Sequence, residues 1–258
     1  MSLQLGQLAE FLDRHLRVAD IVDYAGAFNG IQLTHRGPVR RIAAAVDVSI
    51  RTVDGAIAAD ANVLLVHHGM LWGGPQRFDG RMYELLRRLF EHDIAVYAAH
   101  LPLDAHEIHG NSRLVAKQLG LEPQRGFAQH AGTYVGVMGE TDVATSALRN
   151  RLAAFSREYG GGVVSTPMSD ERRTKVWAIC SGSGASADTL REAKASGVDT
   201  LIVGEGPHWS AVAADDEGLA ILFGGHYATE TLGVQSLAAH VAQRFGVPWL
   251  FVAAPTGL

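Results

Sequence analysis

Hydrophobic and polar positions along this chain switch between helical and strand-like periods. Leu5, Leu8, Leu12 and Leu16 recur at helical spacing, with Asp13 and Arg14 on the other side, and predict an amphipathic helix over 3–16. A loop through Gly26, Asn29 and Gly30 follows. Ile42-Ala43-Ala44-Ala45-Val46-Asp47-Val48 is then a short continuous apolar run of the kind that makes a buried strand. The pattern continues with helix 50–60, strand 61–66, helix 80–92 and strand 94–99. After a loop from His100 to Gly110 comes helix 111–119, closed by Gly120 and Pro123. A strand near 132–137 and a helix over 143–157 open the second half, and a weakly patterned stretch follows. From Lys175 the rhythm returns: strand 175–180, a Ser181-Gly182-Ser183-Gly184 turn, helix 186–196, strand 200–203, helix 208–216, strand 219–223 and helix 228–244. Buried strands alternating with helices predict an α/β fold with mainly parallel sheets covered on both faces.

The chain states one pattern twice. Val63-Leu64-Leu65-Val66-His67-His68-Gly69, with Trp72 beyond it, is matched by Thr200-Leu201-Ile202-Val203-Gly204-Glu205-Gly206 with Trp209. The run from Ile94 into His100 and Asp104 is matched by the run from Ala220 into His226 and Glu230. This duplication predicts two similar α/β half-domains, 1–125 and 126–258. It places imidazoles and carboxylates at strand C-terminal ends, where open α/β sheets bind ligands, and predicts a metal site between the halves.

Composition narrows the field. With 47% hydrophobic residues in 258, the chain has ample material for packed cores. The net charge of −5 and the lack of any Lys/Arg run argue against general nucleic-acid binding. Cys180 is the single cysteine, so thiolate clusters and internal disulfides are excluded and a reducing compartment is expected. The opening residues lack a basic and apolar leader pattern. No stretch approaches the roughly 18 apolar residues of a membrane span, so the expectation is a cytoplasmic protein without membrane contact.

The candidate chemistry rests on a few side chains. His67 and His68 are adjacent, and at a strand end followed by Gly69 both rings can converge. His226 and Glu230, four apart at the start of a helix, share a face. Pro102 excludes a simple helix holding both His100 and Asp104, so a loop is expected to deliver them. His67, His68, Asp104, His226 and Glu230 offer three imidazoles and two carboxylates, a set suited to Zn²⁺, Fe²⁺, Mn²⁺, Co²⁺ or Ni²⁺. Two carboxylates can bridge, which favours two ions over one. His100 and His208 are candidates for proton transfer near the metals, against a structural alternative for each. Glu205 is a candidate to orient a water or an imidazole, or else a rim residue. The remaining histidines, His15, His35, His92, His106, His109, His130 and His240, read as solvated or locally satisfied. Trp72 and Trp209 read as packing rather than as a substrate-stacking pair. The Ser181–Gly184 turn lacks the lysine of a phosphate loop, and a tight turn needs the same glycines.

Taken together, Asn29-Gly30-Ile31-Gln32-Leu33, Val46-Asp47-Val48-Ser49, Val66-His67-His68-Gly69, His100-Leu101-Pro102-Leu103-Asp104 leading to Gly110-Asn111-Ser112, Gly204-Glu205-Gly206 with His208, and Gly225-His226-Tyr227-Ala228-Thr229-Glu230 resemble the Nif-three-like dinuclear-metal-centre family, whose members are also called GTP cyclohydrolase type 2 homologues. The resemblance implies two divalent ions per subunit on His67, His68, Asp104, His226 and Glu230, with Glu230 or Asp104 bridging. It also implies a homohexamer with its metal sites facing an inner cavity, without the middle domain of longer members. Where the family often has a second histidine after His208, this chain has Trp209. Two functions follow as expectations. One is a metal-dependent hydrolase of the cyclohydrolase or phosphoesterase kind, using a metal-activated water on a small-molecule substrate such as a nucleotide. The other is a non-catalytic metal-binding oligomer serving as store, chaperone or regulatory scaffold.

Overall fold

A computed structural model of the chain describes residues 2–72, 74 and 76–258; Met1, Gly73 and Pro75 lie outside the described residues. Among the described residues it is a mixed α/β fold with two helix-covered sheets and no closed barrel. The chain forms two compact units, residues 1–106 with 233–254, and 107–232 with 255–258. A C-terminal segment thus returns to the first unit.

In that unit, helix α1 (Leu5–His15) precedes strands β1 (Gly30–Leu33) and β2 (Ile42–Asp47), and then α2 (Ile50–Ala58), β3 (Val63–His68), α3 (Gly80–Glu91), β4 (Ala95–Ala98) and the short α4 (Leu101–Asp104). The sheet order is β1-β4-β3-β2-β11, where β11 (Trp249–Phe251) arrives from the C-terminal end. β11, β2, β3 and β4 run parallel, and only the edge strand β1 is antiparallel. Alternate strand residues feed two cores. Ala44, Leu65 and Tyr97 pack with Leu5, Leu8 and Leu12 of α1 and with Val234, Leu237 and Val241 of the C-terminal helix. Ala43, Leu64, Val66 and Val96 pack against Val53 of α2 and Leu85 and Leu89 of α3. Both faces are covered, which is why these strands read as continuous apolar runs. Helix α2 begins where the sequence stops being strand: the Ser49 Oγ accepts from the Thr52 N–H at 3.2 Å, and the Thr52 Oγ1 accepts from the Ser49 N–H at 2.8 Å.

The second unit contains α5 (Asn111–Gln118), β5 (Arg125–His130), β6 (Thr133–Ala144), α6 (Thr145–Glu158), β7 (Val164–Ser165), β8 (Arg173–Cys180), α7 (Ala187–Ala195), β9 (Thr200–Val203), α8 (His208–Asp216), β10 (Ala220–Phe223) and α9 (His226–Thr229). Helix α10 (Thr231–Phe245) then carries the chain back to the first unit. The six-stranded sheet has the order β5-β6-β8-β9-β10-β7, and only the β8–β9 and β9–β10 pairs are parallel. The expectation of a mainly parallel sheet thus fails here. β5 and β6 form an antiparallel hairpin, and β6 continues antiparallel onto β8. The strand expected near 132–137 is the first part of β6, and β5 has no readable apolar pattern because Arg125 and Gln129 interrupt it. Trp177, Ile179, Ile202 and Leu222 face Leu148, Leu152 and Phe155 of α6. Cys180, 8% exposed, sits on the other face with Leu201, Val203 and Ile221.

Candidate metal centre

In the first unit the candidate ligands converge at the C-terminal ends of β3 and β4. His67 and His68 are the last two residues of β3, and their ring centroids are 4.7 Å apart. The glycine after them is needed for close approach. A Cβ on Gly69 would lie 2.1 Å from the Gln32 Nε2, whose side chain bonds Ala27, Phe28 and Met70 backbone atoms. Asp104 is delivered differently from the sequence expectation. Leu101–Asp104 is a helical turn with His100 as its N-cap, and Pro102 occupies the first turn, where no intrahelical N–H is required.

The tautomers follow from what each ring nitrogen faces. The His67 Nδ1 lies 2.9 Å from the Ala99 carbonyl oxygen, so its N–H donates there and Nε2 carries the lone pair. That Nε2 faces the Asp104 Oδ2 at 3.4 Å in a fully buried position. The His68 Nδ1 donates to the Asp47 Oδ1 at 2.9 Å, again leaving Nε2 as the ligand atom. Asp47 ends β2, and the parallel register pairs it directly with His68. His67, His68 and His100 each bring a nitrogen to within 4.8 Å of the other two.

His100 belongs to a second polar arrangement. Its Nδ1 donates to the Asp23 Oδ1 at 2.8 Å, and its backbone N–H donates to the Asn29 Oδ1 at 2.7 Å. The Asp23 Oδ2 accepts from the Asn29 Nδ2 and from the Leu101 N–H. Burial opposes the Asp23 charge, but His100, Asn29 and Leu101 outweigh it and hold the carboxyl below its ordinary pKa. Burial of His100 outweighs Asp23 in turn and lowers the imidazole pKa, so the ring is neutral near pH 7. Trp72, 42% exposed, stands edge-on to His100 at 4.5 Å and to His68 at 5.4 Å. It flanks the imidazoles rather than filling a core, contrary to the packing expectation.

The second unit repeats the arrangement with other residues. His226 opens α9, and Glu230 caps the helix one turn later, so the His226 Nε2 lies 3.0 Å from the Glu230 Oε2. The His226 Nδ1 is 2.8 Å from the Glu205 Oε1, and the Ser183 hydroxyl reaches the same carboxylate at 3.2 Å. Glu205 thus anchors one nitrogen of the imidazole from a partly exposed position. Burial works against a charged His226, but Glu230 and Glu205 prevail and lift its pKa to about 9. The metal-free imidazole therefore holds a proton on each nitrogen, the one on Nε2 facing a carboxylate. His208 is exposed at the start of α8, outside this set, and Trp209 beside it is 46% exposed.

The Ser181–Gly184 turn has a role the sequence did not disclose. Gly182 has φ +61°, and a Cβ there would lie 2.1 Å from the Glu230 Oε1. The turn forms the wall against which the carboxylate rests. Its backbone N–H at Gly182 is taken by the Thr229 Oγ1 at 3.0 Å, so it is no phosphate cradle.

The family described as Duf34/NIF3 (NGG1p interacting factor 3) matches residues 3–256. The chain belongs to the Duf34/NIF3 family. Among its relatives, a "GTP cyclohydrolase 1 type 2 homolog" of Halobacterium salinarum is 42% identical, covering 94% of this chain and 95% of that one. A Deinococcus radiodurans protein of the same description is 36% identical over 98% and 94%. The crystal structure of TTHA1606 from Thermus thermophilus superposes with a TM-score of 0.86 at 33% identity, covering 99% of this chain and 100% of that one. The protein ybgI, described as of unknown function, reaches 0.89 at 28% identity, with coverage of 99% and 100%.

The donor chemistry fits the divalent ions implied for this Duf34/NIF3 chain. His67, His68 and His226 each have Nδ1 anchored by an oxygen, and for His67 and His226 the remaining nitrogen is set against a carboxylate. A lone pair facing a carboxylate requires a proton or a cation between them, and an anchored Nδ1 is the usual support of a metal-binding imidazole. The sequence alone gives Asp47, Asp23 and Gly182 no role in orienting the ligands. Asp47 was within reach, since it ends a recognised strand beside the one that ends in His68. Asp23 lies 77 residues from His100 in a stretch without periodicity, and no local signal marks it.

Proposed function

We propose that His67, His68, Asp104, His226 and Glu230 hold two divalent ions and that the protein is a metal-dependent hydrolase. The observation that carries this reading is the repeated placement of an anchored imidazole with its Nε2 against a buried carboxylate, once in each unit. Such ions lower the pKa of a bound water and polarise an electrophilic carbon or phosphorus centre. Asp47, the Ala99 carbonyl and Glu205 fix the imidazole tautomers. In this reading neutral His100, held by Asp23, takes or returns a proton through Nε2. Trp72 offers a flat apolar surface beside it, which favours a planar substrate such as a nucleobase. The names of the relatives support a cyclohydrolase-like reaction. Assembly as a homohexamer is part of the same proposal, and sedimentation of the purified protein tests it.

Elemental analysis of the purified protein, beside His67→Ala and Glu230→Ala with circular dichroism, tests the metal centre. The expected content is about two ions per chain, lost from both folded variants. Divalent-dependent hydrolysis of nucleotides and phosphoesters that disappears in the same variants supports the enzyme. Absence of metal after reconstitution with Zn²⁺, Mn²⁺ and Fe²⁺ overturns the reading. Full loading without turnover on any nucleotide or phosphoester would favour a non-catalytic metal-binding oligomer.

A further inference from the structure

A second group of imidazoles gathers around the end of α1. His15 is the last residue of that helix; its ring lies 4.5 Å from that of His106, tilted by 42°, and 4.6 Å from that of His240, nearly parallel at 6°. Phe11 stacks on His15 at 5.3 Å and on His240 at 5.9 Å. One ligand nitrogen of His15 and one of His106 lie within 4.8 Å of each other.

We propose that His15 and His106 form a histidine-only site for a borderline divalent transition ion such as Cu²⁺, Ni²⁺ or Zn²⁺, distinct from the ligand set containing His67 and His226. The geometry requires little adjustment. Metal–nitrogen bonds of about 2.0–2.1 Å at a tetrahedral angle place two nitrogens roughly 3.4 Å apart, which rotation of the half-buried His15 and His106 rings can reach. His240 plays another part. Lone pairs lie in the ring plane, so two parallel rings cannot aim at one ion, and His240 with Phe11 instead fixes the plane of His15.

Three further properties support a cation here. The C-terminal end of α1 carries partial negative charge from its last carbonyl groups, which favours a cation beside His15. Burial, then His106 and His240, lower the His15 pKa to about 4, so its imidazole is neutral and able to ligate at pH 7. The donors named are all imidazole nitrogens, which disfavours Mg²⁺ and Ca²⁺ and ranks Cu²⁺ as the tightest binder.

Copper is the probe for the test, used on the full chain. In a His67→Ala/Glu230→Ala background, the expected result is about one Cu²⁺ per chain with nitrogen hyperfine structure in its electron paramagnetic resonance spectrum. Adding His15→Phe and His106→Phe, which keep flat rings but remove the ligands, should abolish that signal. Unchanged copper stoichiometry and spectrum after the phenylalanine changes would overturn the proposal, as would no copper uptake in the starting background. If that background does not fold, titration of the otherwise native chain decides: loss of one equivalent upon His15→Phe/His106→Phe supports the site, and no loss overturns it.

Discussion

Replacing Gly182 by alanine tests the link between a backbone turn and a metal ligand. The residue has φ +61°, where a non-glycine residue costs about 1–2 kcal/mol. The added methyl group would lie 2.1 Å from the Glu230 Oε1 and 3.3 Å from the His226 Nε2, whereas ordinary contact needs about 3.4 Å or more. Glu230 must therefore shift by roughly 1 Å, several times the ~0.2 Å tolerance of metal–ligand distances. Metal affinity should fall by at least about tenfold to a hundredfold, as it does when a ligand's support is lost. Gly197→Ala is the control: φ is +68° there, but a Cβ would meet nothing within 4 Å. Both variants should lower the melting temperature of the metal-free protein by several degrees, at about 2–4 °C per kcal/mol. Only Gly182→Ala should lose metal in a chelator competition titration. Metal affinity of Gly182→Ala within twofold of the parent would refute the argument.

Three other outcomes are expected. Removing the Asp23 charge with Asp23→Asn takes away a contact that raises the His100 pKa, so the imidazole midpoint followed by proton NMR in the metal-free protein should move further down; a rise would contradict the assignment. His226 has its pKa raised from 6.5 to about 9, so its contribution to metal-free stability is complete below pH 6.5 and is lost as pH rises through 9. The same proton competes with the ion, so apparent Zn²⁺ affinity should climb by up to about tenfold per pH unit between pH 6.5 and 8.5; a flat chelator-competition profile would show that no proton is displaced. Trp177 is fully buried, and its Nε1 has no hydrogen-bond partner among the described residues. Trp177→Phe should therefore cost less than about 1.5 kcal/mol in urea unfolding, because it removes an unsatisfied donor, whereas Trp177→Ala should cost about 3–5 kcal/mol.

What the sequence made legible follows the range of the interactions involved. The helices from α1 to α3 and the strands β2 to β4 were readable because both faces of the first sheet are covered, leaving long apolar runs. The hairpin of β5 and β6 was less so, since residues such as Arg125 and Gln129 reach outward and interrupt the pattern. β1, β7 and β11 are short edge strands whose pairing is decided by distant partners, for example Trp249 with Ile42. Within the site, the repeat pointed to His67, His68, Asp104, His226 and Glu230, while the groups that orient them were partly hidden. Glu205 was visible as the counterpart of the histidine pair. Asp23 was not, because its meeting with His100 depends on the whole intervening chain. Pro102 misled the reading of Asp104, since a proline that breaks a helix interior is well suited to its first turn.

The returning C-terminal segment sets an order of folding that runs against the order of the sequence. Nearly all of the second unit lies in an uninterrupted stretch, whereas the first unit lacks α10 and its fifth strand until residues 233–254 have been made. On the ribosome, the half that begins first must wait for the half that begins second, with the α1-facing side of its sheet and the free edge of β2 uncovered meanwhile. A stop codon before β11 would therefore damage the oldest part of the nascent chain rather than the newest.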